Sequence, residues 1–486
     1  MNDGRRRRAV GLSDLRPQVE PASLPRVMRI LLATSFFPPQ HRAGTENYTF
    51  GVASGLVKAG NEVRVLCAGR WADGRRYFNG HTDETYQGVS IRRLHLNWAK
   101  APDPNRYLYD NPIVAKEVAR YLTQIRPDVV HITSCLTLSA SMIRIIKQMR
   151  IPVIITLTDF WFLCPRITLL RRNSELCSGQ TTATDCLRCM LGESKSFRVV
   201  SSILPESLID ACLVRVSQRP SISRLRGMRG MALDITHRKE YLRETLGMAD
   251  CVIAPSKSLE NVFRQNGFCA PMRIVPYGHD LSWLQSYARR TEPNKVRFGY
   301  LGQIISIKGV HLVLQAFTTL PPESSATLSV FGDLNKEPPY SEQLRRIAAN
   351  SSNIQFKGTF TREQLGEILG QLDVVVVPSV WYENSPLVIQ EAFAAKIPVV
   401  ATDLGGMSEL VQHQVNGLLF ERSNVQDLAH QLRRVMNEPG LLERLRAGIG
   451  AIKNMDDELH ELGKVYREFM KTPQDQTAPC PSDRRC

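Results

Sequence analysis

Two glutamates and a predicted helix start lie close together in residues 379–396. Glu383 and Glu391 are eight residues apart, and Ser385 followed by Pro386 lies between them. Ser385 suits an N-cap and Pro386 a first helical position, so we expect a helix to begin here with free backbone N–H groups. Such a helix end binds phosphate, and carboxylates accept hydrogen bonds from hydroxyls. The pattern therefore suits a ligand with both a diphosphate and sugar hydroxyls.

Two further segments place glycines directly after predicted strands. Gly302 and Gln303 follow one strand, and Lys308 comes five residues after Gln303. Gly332 ends the next strand, where a residue without a side chain lets a nucleotide approach closely. Lys308 offers a positive charge to a diphosphate, whereas Gln303 can donate only a neutral hydrogen bond.

A parallel sheet is needed to position these loops. The predicted strands are continuous Val, Ile and Leu runs, which is typical of burial on both faces of a parallel sheet. Helical patterns separate most of them, so the sequence predicts an α/β protein with two doubly wound, Rossmann-like domains. The predicted strands are Val27–Ala33, Glu62–Cys67, Val89–Leu94, Val129–Ile132, Val153–Leu157, Cys251–Ala254, Met272–Val275, Val296–Leu301, Ala326–Phe331, Asn353–Lys357, Asp373–Val377, Val399–Thr402 and Gly417–Phe420.

A polar connector, Tyr287–Asn294, separates the two sets of strands. The strand rhythm is also lost inside the first set, which indicates an insertion. Disorder is expected at both ends of the chain, and either Met1 or Met28 can be the translation start. The predicted segments are a basic tail at 1–25, an N-terminal Rossmann-like domain at 26–290 with a Cys- and Arg-rich insertion at about 160–245, a C-terminal Rossmann-like domain at 291–470 and a second tail at 471–486.

Residues 379–396 resemble the Glu, seven residues, Glu element of glycosyltransferase family 4, whose members are retaining enzymes of the GT-B type. Several loops agree in order with this family over roughly residues 27–470. The resemblance implies a GT-B fold in which two domains face a central cleft. It makes 26–290 the acceptor-side domain and 291–470 the nucleotide-sugar-binding domain. It also implies transfer of a sugar from a UDP-, GDP- or ADP-sugar to a polysaccharide, lipid-linked or small-molecule acceptor, with no metal ion required for catalysis.

The resemblance also assigns roles to individual residues. Glu383 is expected beside the donor sugar, Glu391 on the ribose hydroxyls and Lys308 on the diphosphate. The family usually has Arg where this chain has Gln303. The expected donor-binding residues are Gly44, Gly302, Gln303, Lys308, Gly332, Asn384, Ser385, Leu387, Val388 and Glu391, and the expected catalytic residues are Glu383, Lys308 and Asp159.

Two segments of the first domain depart from the family pattern. Ser35–Tyr48 is similar to the family's glycine-rich phosphate loop, with Ala43 beside Gly44 in place of two glycines. Val153–Cys164 is similar to a segment in which His often precedes Asp, and here Thr158 precedes Asp159. Thr does not titrate near neutral pH, so Asp159 is the candidate for contacting or deprotonating the acceptor hydroxyl.

The insertion contains four cysteines within a span of 26 residues: Cys164, Cys177, Cys186 and Cys189. Four thiolates suit a structural zinc ion or an iron–sulfur cluster. Free cysteines that only pack in the interior are the alternative interpretation. We expect a metal here to shape the acceptor side of the cleft without taking part in catalysis.

The chain has 62 Lys and Arg against 47 Asp and Glu, a net charge of +15. This excess suits phosphate ligands, nucleic acid or an anionic membrane. Arg215–Arg229 contains five arginines and no acidic residue, which predicts either an amphipathic helix for an anionic surface or a solvated helix face. No nucleic-acid recognition motif is present, so nucleic acid is not an expected partner.

The cellular location and two alternative functions are inferred from less specific features of the sequence. The sequence has no signal-peptide pattern and no apolar run long enough to cross a bilayer, which predicts a cytoplasmic protein with peripheral contact at the inner membrane face as an option. A non-catalytic binding or scaffold protein is one alternative, motivated by Gln303 and Thr158. A nucleotide-sugar epimerase on the same scaffold is the other.

Overall fold

The computed structural model shows two sheets, each surrounded by helices. The described residues are 27–70, 73–171, 174–192, 194–217, 231–292, 295–321 and 326–470. Both predicted tails, at 1–25 and 471–486, and most of the predicted basic segment Arg215–Arg229 lie outside them.

The first sheet contains eight strands: β1 (Arg29–Ala33), β2 (Glu62–Ala68), β3 (Phe78–Tyr86), β4 (Val89–Leu96), β5 (Val129–Ile132), β6 (Val153–Thr156), β7 (Cys251–Ala254) and β8 (Met272–Ile274). Their spatial order is β3-β4-β2-β1-β5-β6-β7-β8. Only β3 and β4 are antiparallel among these pairs. The helices of this half are α1 (Gly44–Lys58), α2 (Pro104–Tyr107), α3 (Pro112–Ile125), α4 (Ser141–Gln148), α5 (Ala183–Leu191), α6 (Lys195–Ile203), α7 (Glu206–Ser217), α8 (Met231–Gly247) and α9 (Lys257–Gln265).

The second sheet contains six parallel strands: β9 (Val296–Leu301), β10 (Ala326–Phe331), β11 (Ile354–Gly358), β12 (Val374–Val377), β13 (Val399–Thr402) and β14 (Gly417–Phe420). Their order is β11-β10-β9-β12-β13-β14. The helices that follow in the chain are α10 (Val310–Thr318), α11 (Pro338–Ala348), α12 (Leu365–Gly370), α13 (Leu387–Ala394), α14 (Gly406–Leu410), α15 (Val425–Asn437), α16 (Leu441–Ala447) and α17 (Met455–Phe469).

The strand sequences explain why both sheets are covered on both faces. β12 is four consecutive valines, and none of these side chains is more than 5% exposed. A strand that is apolar on both faces is stable only between two helical layers. The prediction of two doubly wound α/β units is therefore confirmed at the level of the sheets.

The order of the second sheet defines where its loops meet. β9 pairs with β10 on one side and with β12 on the other, so the chain reverses its direction of progress across the sheet at this point. Ligands of open α/β sheets bind outside the carboxyl ends of the strands at such a reversal. The loops at 302–309 and 378–386, which carry most of the predicted site residues, both leave from this edge.

The last helix crosses back to the first half of the molecule. Leu462, Val465 and Tyr466 of α17 are buried in the same apolar cluster as Tyr48 and other residues of the first half. The sequence analysis placed this helix in the 291–470 domain, and the structure packs it on the first sheet instead. Its apolar face is complementary to α1, a tertiary contact that sequence periodicity does not specify.

The predicted insertion at about 160–245 begins with turns and an isolated bridge between Leu170 and Leu176, and its described residues become helical from Ala183 onward. The chain leaves the sheet after β6 and returns at β7, which pairs directly with β6. In the described part of this segment there are four helices, α5 to α8. One strand was missed by the sequence analysis: β3 lies at the sheet edge, and its polar sequence lacks the apolar run used to find the others.

No helix in the described ranges combines the length and apolar character needed to span a membrane.

Candidate donor and acceptor site

Lys308 and Glu383 come into direct contact at the carboxyl edge of the second sheet. Lys308 Nζ donates a hydrogen bond to Glu383 Oε1 at 2.6 Å. Ser379 Oγ and Trp381 Nε1 donate to the same oxygen at 2.7 and 2.9 Å. The Lys308 ammonium also lies 5.3 Å from the centre of the Trp381 ring, a cation–π distance. Three donors therefore fix the Glu383 carboxylate, and the lysine charge is held beside it.

A glycine sets the path of the lysine loop. Gly309 has φ +69°, in the left-handed region, and follows a short 3-10 turn at Ser306–Lys308. A Cβ at this position would lie 2.0 Å from the carbonyl oxygen of Pro378. Val380 N–H also donates to the carbonyl of Ile307 at 3.0 Å. The two loops can approach each other this closely because residue 309 has no side chain.

Two of the three predicted donor glycines, Gly302 and Gly332, approach each other closely. A Cβ on Gly332 would lie 2.2 Å from the carbonyl oxygen of Gly302, so the loops after β9 and β10 require this glycine. Gln303 is half-buried beside them, and its carbonyl accepts a hydrogen bond from the Tyr300 hydroxyl at 2.6 Å. Backbone rather than side chains thus forms this part of the edge.

The loop before α13 contains an unsatisfied amide. Both polar atoms of the Asn384 side chain are buried and have no hydrogen-bond partner among the described residues. Gly406 packs on the Asn384 carbonyl and donates its N–H to the Glu383 carbonyl at 2.8 Å, which holds the loop in place. A buried amide without partners is costly, so this side chain suits a ligand that supplies both a donor and an acceptor.

The start of α13 corrects one prediction. Ser385 is not the N-cap: the helix begins at Leu387, with Pro386 as the capping residue and no side-chain cap. Pro386 has ψ 116°, an extended conformation, so the chain is not yet helical at this residue, and Gly406 packs on the loop that precedes it. Ser385 is buried, Leu387 packs against the first half and Val388 packs within the second. The free N–H groups still lie at the same edge.

Glu391, the predicted ribose ligand, forms an ion pair. Arg362 donates to its carboxylate and, through its second terminal nitrogen, to the carbonyl of Asp280 at 3.0 Å. Arg362 therefore links α13 to the segment that connects the two halves. The sequence analysis missed Arg362, Ser379 and Trp381, because their partners are distant in sequence or become apparent only from the loop geometry.

On the first half, Asp159 lies in a small pocket after β6. The pocket is also lined by Thr133, Ser134 and Trp161. Burial raises the pKa of Asp159 to about 6, and Glu46 raises it further, whereas the Trp161 N–H and Arg238 oppose the rise. The Trp161 N–H donates to Asp159 Oδ1 at 2.8 Å. The carboxyl group therefore titrates close to the pH range of cells.

Thr158 does not replace the family's histidine as a second polar group in this pocket. Its hydroxyl donates to the carbonyl of Thr133 at 2.8 Å and is thus committed to the backbone. Arg238 of α8, which the sequence analysis did not single out, donates to the carbonyl of Trp161 and lies 5.2 Å from that ring. Burial lowers the pKa of Arg238 to about 10. The insertion thereby supports the Asp159 loop.

Gly44 lies at the first position of α1, and a Cβ there would meet nothing within 4 Å. Close packing of the protein therefore does not require this glycine. Glu46 accepts a hydrogen bond from the Ala43 N–H at 3.1 Å and so takes up part of the helix N-terminus. A phosphate at this end would have to share the donors with a carboxylate, which weakens Gly44 as a phosphate ligand relative to the second-half loops.

The two halves touch across the cleft. The rings of Phe160 and Tyr382 are 6.0 Å apart. Glu409 of α14 accepts hydrogen bonds from the N–H groups of Lys257 and Ser258, at 2.9 and 2.8 Å, and thereby caps α9 of the first half. The Asp159 pocket and the Lys308–Glu383 pair therefore lie on facing walls of one closed cleft. None of the contacts among the described residues joins Asp159 directly to either of them.

The four clustered cysteines are neighbours, and all four are thiols rather than disulfides. Burial raises the pKa of the Cys186 thiol, and the nearby Cys164, Cys177 and Cys189 add to the rise. Across the part of the chain that the structure describes, no group of three or more His, Cys, Asp or Glu side chains is arranged to hold a metal ion. The structural metal remains a prediction.

Two family models match this chain. The model described as "Glycosyl transferases group 1" matches residues 285–449, which include the Lys308 loop and both glutamates. The model described as "Glycosyl transferase 4-like domain" matches residues 43–183, which include Asp159.

Individual proteins are similar over most of the chain. An uncharacterised glycosyltransferase of Methanocaldococcus jannaschii is 23% identical over 428 residues, 86% of this chain and 91% of the relative. The capsular polysaccharide biosynthesis glycosyltransferase CapM of Staphylococcus aureus is 23% identical over 305 residues, 57% of this chain and 78% of the relative. The structure of Anabaena HepE in complex with UDP-glucose has a TM-score of 0.58 at 18% identity, covering 91% of this chain and 100% of that one.

Proposed function

The chain belongs to the group 1 glycosyltransferases and has their GT-B fold, and from this premise we propose that it transfers a sugar from a nucleotide-sugar donor to a hydroxyl with retention of anomeric configuration. The observation that carries the proposal is the contact between Lys308 and Glu383, at the point where the second sheet reverses. A cation and a carboxylate there match the two ends of a sugar diphosphate.

The donor would extend along the carboxyl edge of the second sheet. Its diphosphate would lie against Lys308, the backbone at Gly302 and the N-terminus of α13, where positive charge is concentrated. Its sugar hydroxyls would donate to Glu383 and pair with the unsatisfied Asn384 amide. Glu391, oriented by Arg362, is then available to the ribose.

In the transfer step, the bond between the anomeric carbon and the diphosphate oxygen breaks as the acceptor oxygen bonds to the same face of that carbon. Lys308 stabilises the charge that builds on the departing diphosphate, which is most effective in a site that excludes water. The acceptor proton passes to the departing phosphate oxygen. Asp159, on the facing wall, would accept a hydrogen bond from the acceptor. Lys308 supplies the positive charge, so the proposal requires no metal ion for catalysis.

The class of substrate is supported by named relatives. CapM acts in capsular polysaccharide biosynthesis by its name, and HepE was solved with UDP-glucose. We therefore propose a role in the synthesis of a cell-surface polysaccharide or glycolipid, with UDP-sugars as the donors to examine first. GDP- and ADP-sugars are the other donors to be tested.

The proposal is tested with purified protein and UDP-, GDP- and ADP-sugars, by following thermal stabilisation and the release of nucleoside diphosphate in the presence of saccharide acceptors. Loss of the Lys308 charge should lower kcat by about 10²- to 10³-fold, as for removal of one transition-state donor. Lys308→Met is the variant, and Lys357→Met on an exposed part of β11 is the matched control.

Other outcomes separate the rival functions. If a nucleotide sugar stabilises the protein but is not turned over with any of the acceptors, the scaffold function is favoured. Release of an altered nucleotide sugar without any acceptor would favour an epimerase. Equal kcat in Lys308→Met and in Lys357→Met would contradict the role given to Lys308.

A further inference from the structure

Two consecutive helices of the insertion expose large apolar side chains. The exposed helix pair is α6 (Lys195–Ile203) with α7 (Glu206–Ser217). Six of the nine exposed large hydrophobic residues in the described chain lie on it or at its junction. Ile203 is 73% exposed, Val199 60% and Leu208 53%. The other three are Val200, Leu204 and Val214.

Exposed apolar residues occur on both helices and at their junction. Val199 and Ile203 are four residues apart in α6 and lie on one side of that helix. Leu204, in the extended junction, and Leu208 of α7 are exposed as well. Soluble monomers rarely expose a contiguous apolar patch without a partner for it. This surface therefore indicates a binding role.

The two acidic residues of the helix pair both form ion pairs with one arginine of the neighbouring helix. Arg188 of α5 pairs with Glu206 at 2.7 Å and with Asp210 at 3.3 Å. Ile209 is buried, and α7 contacts both α5 and α8. The helix pair is thus anchored on one side, and its negative charges are neutralised there.

The basic residues of the pair face outward. Lys195, Arg198 and Arg215 are exposed, and none of the ion pairs within the described residues involves them. Apolar side chains flanked by unneutralised cations are complementary to an anionic lipid surface, where the apolar groups enter the acyl boundary and the cations meet headgroups.

We propose that the exposed helix pair docks the protein on an anionic lipid bilayer. The same insertion supports the acceptor wall, since Arg238 of α8 holds the loop of Trp161 next to Asp159. Docking would therefore bring the acceptor side of the cleft to the membrane and select an acceptor attached to a lipid. The selection of a lipid-attached acceptor rests on the proposed transferase function, whereas docking itself does not.

The test is co-sedimentation of the full chain, without donor or acceptor, with phosphatidylcholine vesicles that contain or lack phosphatidylglycerol. The wild-type protein should bind the anionic vesicles, and added salt should weaken binding. Ile203→Asp with Leu208→Asp should lower the bound-to-free ratio by about tenfold or more, since two apolar side chains no longer enter the lipid. Val415→Asp, which changes an exposed valine of the second half, should bind like the wild type.

Docking would be contradicted if the wild-type protein did not bind anionic vesicles, or if the double variant bound them equally well. It would also be contradicted if the wild type formed a dimer that the double variant abolishes and did not bind vesicles. Turnover with a water-soluble acceptor should be unchanged in the double variant. Failure of turnover in every variant, with vesicle binding intact, would contradict the transferase proposal and leave docking supported.

Discussion

Glu383 shows how one side chain can be set in advance for a ligand. Its Oε1 accepts from Lys308, Ser379 and Trp381, so the carboxylate cannot rotate without breaking several hydrogen bonds. Lys308 is meanwhile paired with a carboxylate rather than left as an isolated half-buried cation. An arriving diphosphate would share the ammonium with Glu383, and the cost of ordering the lysine would already have been met in folding.

Asp159 gives a pH dependence at the residue scale. Its pKa is raised to about 6, so the carboxylate that would accept from an acceptor hydroxyl is lost as the pH falls below that value. We expect kcat/KM to decline below about pH 6 in the wild type. Asp159→Asn should have low activity at all pH values and should lack this decline of kcat/KM at low pH, the acidic limb of the profile. The measurement is kcat/KM from pH 5 to pH 8 with a fixed donor.

Asp234 provides the matched control for this profile. Burial also raises its pKa to about 6, but its carboxylate accepts from the Tyr109 hydroxyl, at 3.4 Å, and not from a residue of the Asp159 loop. Asp234→Asn should therefore keep the acidic limb. If Asp234→Asn removes the limb and Asp159→Asn keeps it, Asp159 does not contact the acceptor.

The sequence was sufficient to identify residues that act through their own chemistry. Lys308 and Glu383 were predicted from loop position, residue type and the resemblance to family 4, and the structure places them in contact. Arg362 and Arg238 could not be found this way, because an arginine acquires its role from partners that only the fold brings near. The functional roles themselves remain predictions.

At the scale of elements, Gly309 joins the turn at Ser306–Lys308 to α10. Gly309→Ala should destabilise the protein, because an L-residue at φ +69° costs about 1 kcal/mol or more and its Cβ would also overlap Pro378 O. Relief of that overlap would move Lys308 away from Glu383. We expect a lower Tm and weaker donor binding, measured by thermal melting and by donor titration.

Gly358 is the control for this substitution. Its φ is +75°, close to that of Gly309, but a Cβ there would meet nothing within 4 Å. Gly358→Ala should therefore show the backbone strain alone and leave donor affinity unchanged. Equal losses of Tm in the two variants, with donor binding intact in both, would show that the approach of the two loops does not position Lys308.

All thirteen strands predicted from apolar runs are present, since burial on both faces imposes the same composition that the prediction used. β3 was missed because an edge strand can be polar. The start of α13 was placed too early because Ser385–Pro386 is a valid cap locally, and the packing of Gly406 on the loop overrides it.

At the scale of the whole molecule, Glu458 joins three separate parts of the chain. This residue of α17 is fully buried and accepts from the Tyr48 hydroxyl of α1, at 2.8 Å, and from the N–H of Gly278, at 2.6 Å. Gly278 belongs to the segment leading to the second half. The last helix is thereby fixed to the first half, a contact over 410 residues that no local pattern predicts.

Glu458 should make stability fall as pH rises. Burial raises its pKa from 4.5 to about 7, so the folded state binds a proton that the unfolded state has lost. This contribution to the free energy of unfolding is fully present below pH 4.5 and is lost as pH rises through about 7. The contribution is no more than about 3 kcal/mol. Glu458→Gln should remove this part of the difference in Tm between pH 5 and pH 8.

Glu443 is an exposed glutamate of α16 and supplies the control substitution. Glu443→Gln should retain the wild-type difference in Tm between the two pH values. The account of Glu458 would be contradicted if Glu458→Gln and the wild type lost the same Tm between pH 5 and pH 8.

A crystal structure with the nucleoside diphosphate that most stabilises the protein is the most direct test of the central claim, that the donor binds at the carboxyl edge of the second sheet. The account predicts the diphosphate in contact with Lys308 Nζ and the N-terminus of α13, with the ribose hydroxyls on Glu391. A diphosphate bound elsewhere, for example at the N-terminus of α1 beside Glu46, with the Lys308–Glu383 loops unoccupied, would contradict it.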